Sequence, residues 1–222
     1  MEKYMAAPQE LGTKARLLQA ARKVFSEHGL ENATIREICS LAGANVAAVN
    51  YHFGNKEKLY TAVLQDYIQR ENERHPRDEG VTPQSEPKDR LRAYVRSFLL
   101  QTLGDGDQEN ERLGKLLTQE FIEPSQYFGE IFERNCRPTH NLLLDIVRQL
   151  LPGHDETTVS RSASSIIGQC VLFDFAKEAI SRMNPELVLQ AGNIEDCTDF
   201  IMEFSLGGIA RLSSRGHGLE KA

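Results

Sequence analysis

Residues Thr34–Phe53 read TIREICSLAGANVAAVNYHF. Their apolar positions fall into two short sets, Ile35, Ile38 and Ala42, then Val46, Val49 and Phe53. Each set keeps the spacing of one buried helix face. Gly43-Ala44-Asn45 separates them, room for a tight turn and no more. Thr34 with Glu37 predicts a capping box, the hydroxyl and the carboxylate each satisfying a free amide at the first helix's start. Gly43 suits the left-handed residue that ends that helix, and Asn45 suits the N-cap of the next. Two short helices joined by a tight Gly-containing turn form a helix-turn-helix. The alternative is an ordinary helix pair on the surface of a bundle.

The second helix favours the first reading through what it leaves outside. At about 100° per residue, Val46, Val49 and Phe53 share one side. Ala47, Ala48, Tyr51 and His52 then point the other way, with Asn50 on the flank. Small residues let a helix sit deep in a major groove roughly 12 Å wide, where alanine methyls meet thymine methyls. Tyr51 offers a hydroxyl to a phosphate, and Asn50 an amide to a phosphate or a base edge. Asn55 can cap a further helix whose first residue is Lys56. A cation beside a helix N-terminus is unfavourable unless an anion shares the site, and a DNA phosphate is such an anion.

The run Tyr51-His52-Phe53-Gly54-Asn55-Lys56-Glu57-Lys58-Leu59-Tyr60 resembles the "Y-H-F-x-x-K-E-x-L" end of the TetR-family DNA-binding domain. The resemblance covers about residues 10–70. Asn50 departs from it, since family members commonly carry an aromatic there. Asn45-Val46-Ala47-Ala48-Val49 with Tyr51 is similar to the CecR-type branch, whose members carry their own C-terminal ligand domain. The resemblance implies an all-α fold: a three-helix helix-turn-helix domain over 10–70, then a larger helical-bundle ligand-binding and dimerisation domain over 88–214. It implies a homodimeric repressor on a palindromic operator in double-stranded DNA, released by a small-molecule effector. By resemblance Thr34 and Arg36 sit where phosphate and groove-edge contacts are made. Arg36 also has a physical case, because its fork can bond a phosphate or a guanine bidentately. The expected DNA contacts are therefore Thr34, Arg36, Asn45, Ala47, Ala48, Asn50, Tyr51, His52 and Lys56. An activator of the same fold and a helical protein-interaction module without DNA binding are the alternatives.

The whole chain fits a globular helical protein. Of 222 residues, 40% are hydrophobic, with a net charge of −6. The charge is uneven, +2 over residues 1–60 and −8 over the remainder, as expected for a DNA-facing head on an acidic body. There is no apolar run of roughly 18 residues for a membrane span. The start, MEKYMAAPQELG, lacks a signal peptide's apolar stretch. Its first ten residues read as a loose arm. Cys39, Cys136, Cys170 and Cys197 are scattered, without metal-ligand spacing, and read as small core residues in a reducing cytoplasm, with redox sensing as the alternative. No catalytic arrangement or phosphate-cradling loop is present, so no enzyme activity, cofactor or metal is expected.

The remainder reads helical throughout. The first helix spans Thr13 to His28, with Leu17, Leu18, Ala21, Val24 and Phe25 inward, Lys14, Arg16, Arg22 and Lys23 mostly outward, and Gly29 as its stop. Residues 75–87, with three prolines, form a connecting loop. Two further stripes end near Gly104 and Pro124, the second carrying Leu113, Glu120 and Phe121 inward. A long helix from 125 to 150 has Phe128, Ile131, Leu143 and Ile146 inward and is kinked or split at Pro138. The helices near 155–183 and 195–212 alternate small with apolar residues, and the family resemblance makes them the homodimer seam, with the tail after Ser213 loose. For the effector, Asp174 interrupts an apolar run: a buried carboxylate there pairs with Arg137, Arg161 or Lys177 or holds a cationic ligand, and an exposed one is the alternative. Phe128, His140, Gln169, Cys170 and Phe173 complete the candidate ligand residues.

Overall fold

The computed structural model describes residues 12–216. In chain order the helices are α1 (Thr13–Asn32), α2 (Ile35–Ala42), α3 (Val46–His52), α4 (Lys56–Arg74), α5 (Pro87–Leu103) and α6 (Gln108–Ile122). Then come α7 (Phe128–Ile131), α8 (Arg137–Leu150), α9 (Glu156–Phe175), α10 (Lys177–Met183) and α11 (Ile194–Gly216). No strand occurs among the described residues. The expected N-terminal arm and the last six residues lie outside them.

Among the described residues, those up to Tyr67 pack with Gly106–Ile131 as one compact unit, and Ile68–Asp105 with those from Phe132 onward as a second. In the first unit α1 buries Leu17, Ala20, Ala21, Val24 and Phe25, and Gly29 interrupts it at φ +70°. Thr34 Oγ1 accepts the Glu37 amide at 3.2 Å, as a capping box requires. The reciprocal half does not form: Glu37 Oε1 lies 3.2 Å from His28 Nε2 on α1 instead. Gly43 is left-handed (φ +59°, ψ +42°), and its amide and that of Ala44 reach the Ser40 and Cys39 carbonyls. Asn45 Oδ1 caps α3 through the Ala48 amide at 2.9 Å, and Asn55 Oδ1 caps α4 through the Lys58 amide at 2.8 Å. Val49 is fully buried, but Val46 is not an inward residue. It opens α3 at 46% exposure, where no preceding turn covers it.

The rest of the first unit is tied by polar links. Arg22 meets Glu109 at 3.0 Å, Asn110 at 3.1 Å and Asp66 at 3.8 Å, and Arg16 Nε donates to the Ala42 carbonyl at 3.1 Å. Both arginines thus brace helices rather than decorate a solvated face. Leu113 and Glu120 of α6 are buried, whereas Phe121 stays 42% exposed with its ring edge-on to Phe128 at 5.1 Å.

The second unit is cored by Leu91, Val95 and Leu99 of α5, Leu143, Ile146 and Val147 of α8, Val159, Ala163 and Ile166 of α9, and Ile201 of α11. The expected long helix is split: a π-helical turn over Phe132–Cys136 separates α7 from α8, and Pro138 falls in the first turn of α8. That is where a missing N–H costs least, and the wide π turn absorbs the register change. The last helix does not end at Ser213 but continues to Gly216.

Candidate nucleic-acid interface

Nine residues expected at DNA come together at the start of α2, along α3 and at the start of α4, all within the first unit. Each has a different degree of freedom. Arg36, Ala47, Asn50 and Tyr51 are exposed, Tyr51 at 85%. Ala48 and His52 are half-buried, and the His52 ring meets the Tyr51 ring at 4.9 Å in an edge-on pair. Thr34 and Asn45 are exposed, but their side-chain oxygens are committed to helix caps. What they can still offer a phosphate is the free amides at their helix starts.

Lys56 has a structural role that its position in the sequence did not reveal. Its ammonium donates to the Ala33 carbonyl at 3.2 Å and the Glu31 carbonyl at 3.3 Å. These carbonyls, at the end of α1 and just beyond it, offset a cation at the start of α4 without a phosphate. Lys14 adds a charge nearby, with Nζ 5.9 Å from the Phe53 ring centroid. The face as a whole presents small side chains, one projecting tyrosine, one arginine and helix N-termini. Such a surface can enter a major groove and hold the flanking phosphates.

The candidate ligand residues fall in both units. Phe128 belongs to the first unit and the other five to the second. Cys170 is buried, and Gln169 Nε2 donates to Ser205 Oγ at 3.1 Å. His140 is half-buried near the start of α8. Phe173 lines a small cavity of about 10 Å³ with Thr102, Leu103, Lys177, Ile180, Val188 and Leu189. Asp174 is exposed, not buried, because it falls on the outer side of α9 near its C-terminal end, between the exposed Leu172 and Phe175. The desolvation argument for a cationic partner therefore fails.

Sequence reading passed over Arg77, which lies in the connecting loop yet turns its guanidinium into the second unit. Its Cζ stands 4.6 Å from the Phe98 ring centroid and 5.4 Å from that of Tyr94. Burial pushes the nearby Cys136 and Cys170 thiols up to about 11 and about 12, with the Arg77 charge pulling both partly back. Thiols held protonated are poor nucleophiles, which argues against these two as redox sensors. Among the described residues no group of His, Cys, Asp and Glu side chains could hold a metal, and no helix is long and apolar enough to cross a membrane.

Two family models match the chain. Residues 17–63 match "Bacterial regulatory proteins, tetR family", and residues 87–209 match the C-terminal domain of the HTH-type transcriptional dual regulator CecR. The CecR of Shigella flexneri is 30% identical over 178 residues, covering 75% of this chain and 78% of that protein. The HTH-type transcriptional repressor NicS of Pseudomonas putida is 42% identical over 59 residues, 27% of this chain and 28% of that protein. Among solved structures, a transcriptional regulator from a Rhodococcus species shares the fold at TM-score 0.63 and 21% identity, covering 89% of this chain and 97% of its own.

Proposed function

Because the chain belongs to the TetR family of transcriptional regulators and carries a CecR-type C-terminal domain, we propose that it is a homodimeric, cytoplasmic repressor. It holds a pseudo-palindromic operator until a small molecule bound in the C-terminal domain releases it. The DNA-binding domain is residues 10–70 and the effector and dimer domain residues 88–214.

The observation that carries this reading is the free face of α3, with Ala47, Asn50 and Tyr51 exposed on a helix that Val49 anchors beneath. A dimer sets two such helices into major grooves about one turn, or roughly 34 Å, apart. The seam is supported by apolar side chains left outside on two helices: Leu172 and Phe175 on α9, Phe200 and Phe204 on α11. Release requires an effector with different affinity for the operator-fitting and non-fitting states. The continuous α4, from Lys56 to Arg74, is the natural lever.

The test is a titration of the purified protein against its own upstream intergenic DNA, with salt and competitor varied. Saturable, competitor-resistant binding at one palindrome is expected, weakening steeply with salt. Affinity no better than for random duplex counts against the reading. The CecR relative is named a dual regulator, which favours an activator as the second reading. Deleting the gene separates them: target expression rises for a repressor and falls for an activator.

A further inference from the structure

The second unit buries a guanidinium that the fold leaves without an anion. Arg77 donates through Nη1 to Ser97 Oγ at 3.4 Å and through Nη2 to Gln101 Oε1 at 2.5 Å, both neutral acceptors. Its Nε is buried and has no acceptor at all. Aromatic rings line it, Phe98 at 4.6 Å and Tyr94 at 5.4 Å. Three carboxylates of the same unit are engaged with other arginines. Glu71 and Asp105 pair with Arg74 at 3.0 and 2.8 Å, and Glu79 with Arg96 at 3.7 Å. The thiols of Cys136 and Cys170 stay protonated at neutral pH and supply no charge. A buried cation without a counter-ion is strongly unfavourable, so an anion that reached this one would be held firmly.

We propose that Arg77 anchors the acidic group of the effector, and that the effector is a small carboxylate with an apolar body. The Nε–Nη2 edge of a guanidinium matches a carboxylate bidentately. Here Nε is vacant and Nη2 rests on the Gln101 amide oxygen, so a carboxylate takes that edge by displacing Gln101. The aromatic rings and neutral thiols around it suit an apolar body and reject a second charge.

The displacement has a consequence for α4. Gln101 Nε2 donates to the carbonyls of Glu71 (3.2 Å) and His75 (2.9 Å) and to Asn72 Oδ1 (3.1 Å), and Ser97 Oγ donates to the His75 carbonyl at 2.6 Å. Arg77 thus grips the two side chains that hold the C-terminal end of α4, a helix whose N-terminal residue is Lys56. An anion on Arg77 trades these grips for its own. This inference rests on the effector-released regulator reading and names the ligand class of that regulator.

The experiment measures thermal unfolding of the full chain with benzoate, phenylacetate and octanoate, each against its neutral amide. Carboxylates should raise the wild-type Tm in a concentration-dependent way, as ligand linkage requires, and the amides should not. Arg77→Met should lose the carboxylate response while melting at or above the wild-type temperature, since methionine fills the space without needing a counter-ion. No carboxylate-specific shift in the wild type, or an undiminished shift in Arg77→Met, overturns the proposal. Should Arg77→Met fail to fold, Arg77→Lys decides: it keeps the charge without the bidentate edge and should show a reduced carboxylate shift, and an undiminished one overturns the proposal. Operator titration is run in parallel. Operator binding without any carboxylate response sinks the anchor alone; a carboxylate response lost in the variant, with no operator binding, sinks the regulator reading and leaves Arg77 as a carboxylate site without a regulatory role.

Discussion

The Lys56 ammonium lies 3.2 Å from the carbonyl oxygen of Ala33, the residue just before the N-cap of α2. The first residue of α4 therefore fixes the entry to the helix-turn-helix, and its two carbonyl partners leave one N–H for a phosphate. Lys56→Met should weaken operator binding by about tenfold and lower the slope of log Kd against log salt by about 1, the signature of one lost phosphate contact. A lower Tm with unchanged affinity and slope would assign Lys56 to structure only.

Tyr51 and Asn45 should separate contact from support. Tyr51 is 85% exposed and its ring touches His52, so Tyr51→Ala should cut operator affinity by roughly tenfold. Its folding free energy should stay within about 0.5 kcal/mol of wild type. Asn45 caps α3, so Asn45→Ala should cost about 1 kcal/mol of stability. Urea unfolding beside DNA titration checks both; the opposite pattern would exchange their roles.

The caps and turn of the helix-turn-helix were legible because they are local. Thr34, Gly43, Asn45 and Asn55 each determine a nearby backbone group whatever packs above them. What needed the structure is what distant chain supplies. Helical spacing gave Glu37 a capping role but not the competing imidazole of His28. It assigned Phe121 and Asp174 inward sides, although coverage depends on which neighbour lies over each face. Arg77 sits in a proline-rich loop with no period to read, and only the fold reveals the rings that enclose it.

The α11 surface should decide the oligomeric state. Phe200 and Phe204 are 68% and 66% exposed, with their rings stacked at 6.4 Å. Replacing both by glutamate places two charges in the proposed seam and should weaken dimerisation about 100-fold or more, as loss of interface aromatics does. Light scattering should then report a monomer with unchanged helical content, and operator affinity should collapse with it. A dimer that survives the double substitution moves the seam elsewhere.

Alkaline pH should destabilise the fold. In the unfolded chain Cys136 and Cys170 release their protons near the ordinary value of 9.0, whereas burial holds them to about 11 and about 12 in the folded state. Tyr94 is pushed up from 10.0 by burial in the same sense. Above pH 9 the native state thus binds more protons than the unfolded one, and stability must fall as pH rises. Urea midpoints at pH 8, 9 and 10 should decline in that order, and Cys170→Ala should flatten the decline. A flat wild-type profile would contradict the burial of these thiols.

Tyr60 and Glu120 should behave as one coupled unit. The Tyr60 hydroxyl donates to Glu120 Oε1 at 3.4 Å, and the Ser125 amide donates to the other carboxylate oxygen at 3.1 Å. Both side chains are buried, and burial, then the Glu120 charge, pushes the Tyr60 hydroxyl well above its usual range. Tyr60→Phe leaves Oε1 without its donor and should cost about 1–2 kcal/mol, since a buried acceptor then loses its partner. Glu120→Gln keeps an acceptor for the hydroxyl but removes the charge. The pair should therefore show a coupling of about 0.5–1 kcal/mol in a double-mutant cycle read by urea unfolding. Because α6 carries Glu120 and α4 carries Tyr60, the loss should appear as faster amide exchange along α6 before global unfolding. Strict additivity would mean that the two side chains are neighbours without an energetic link.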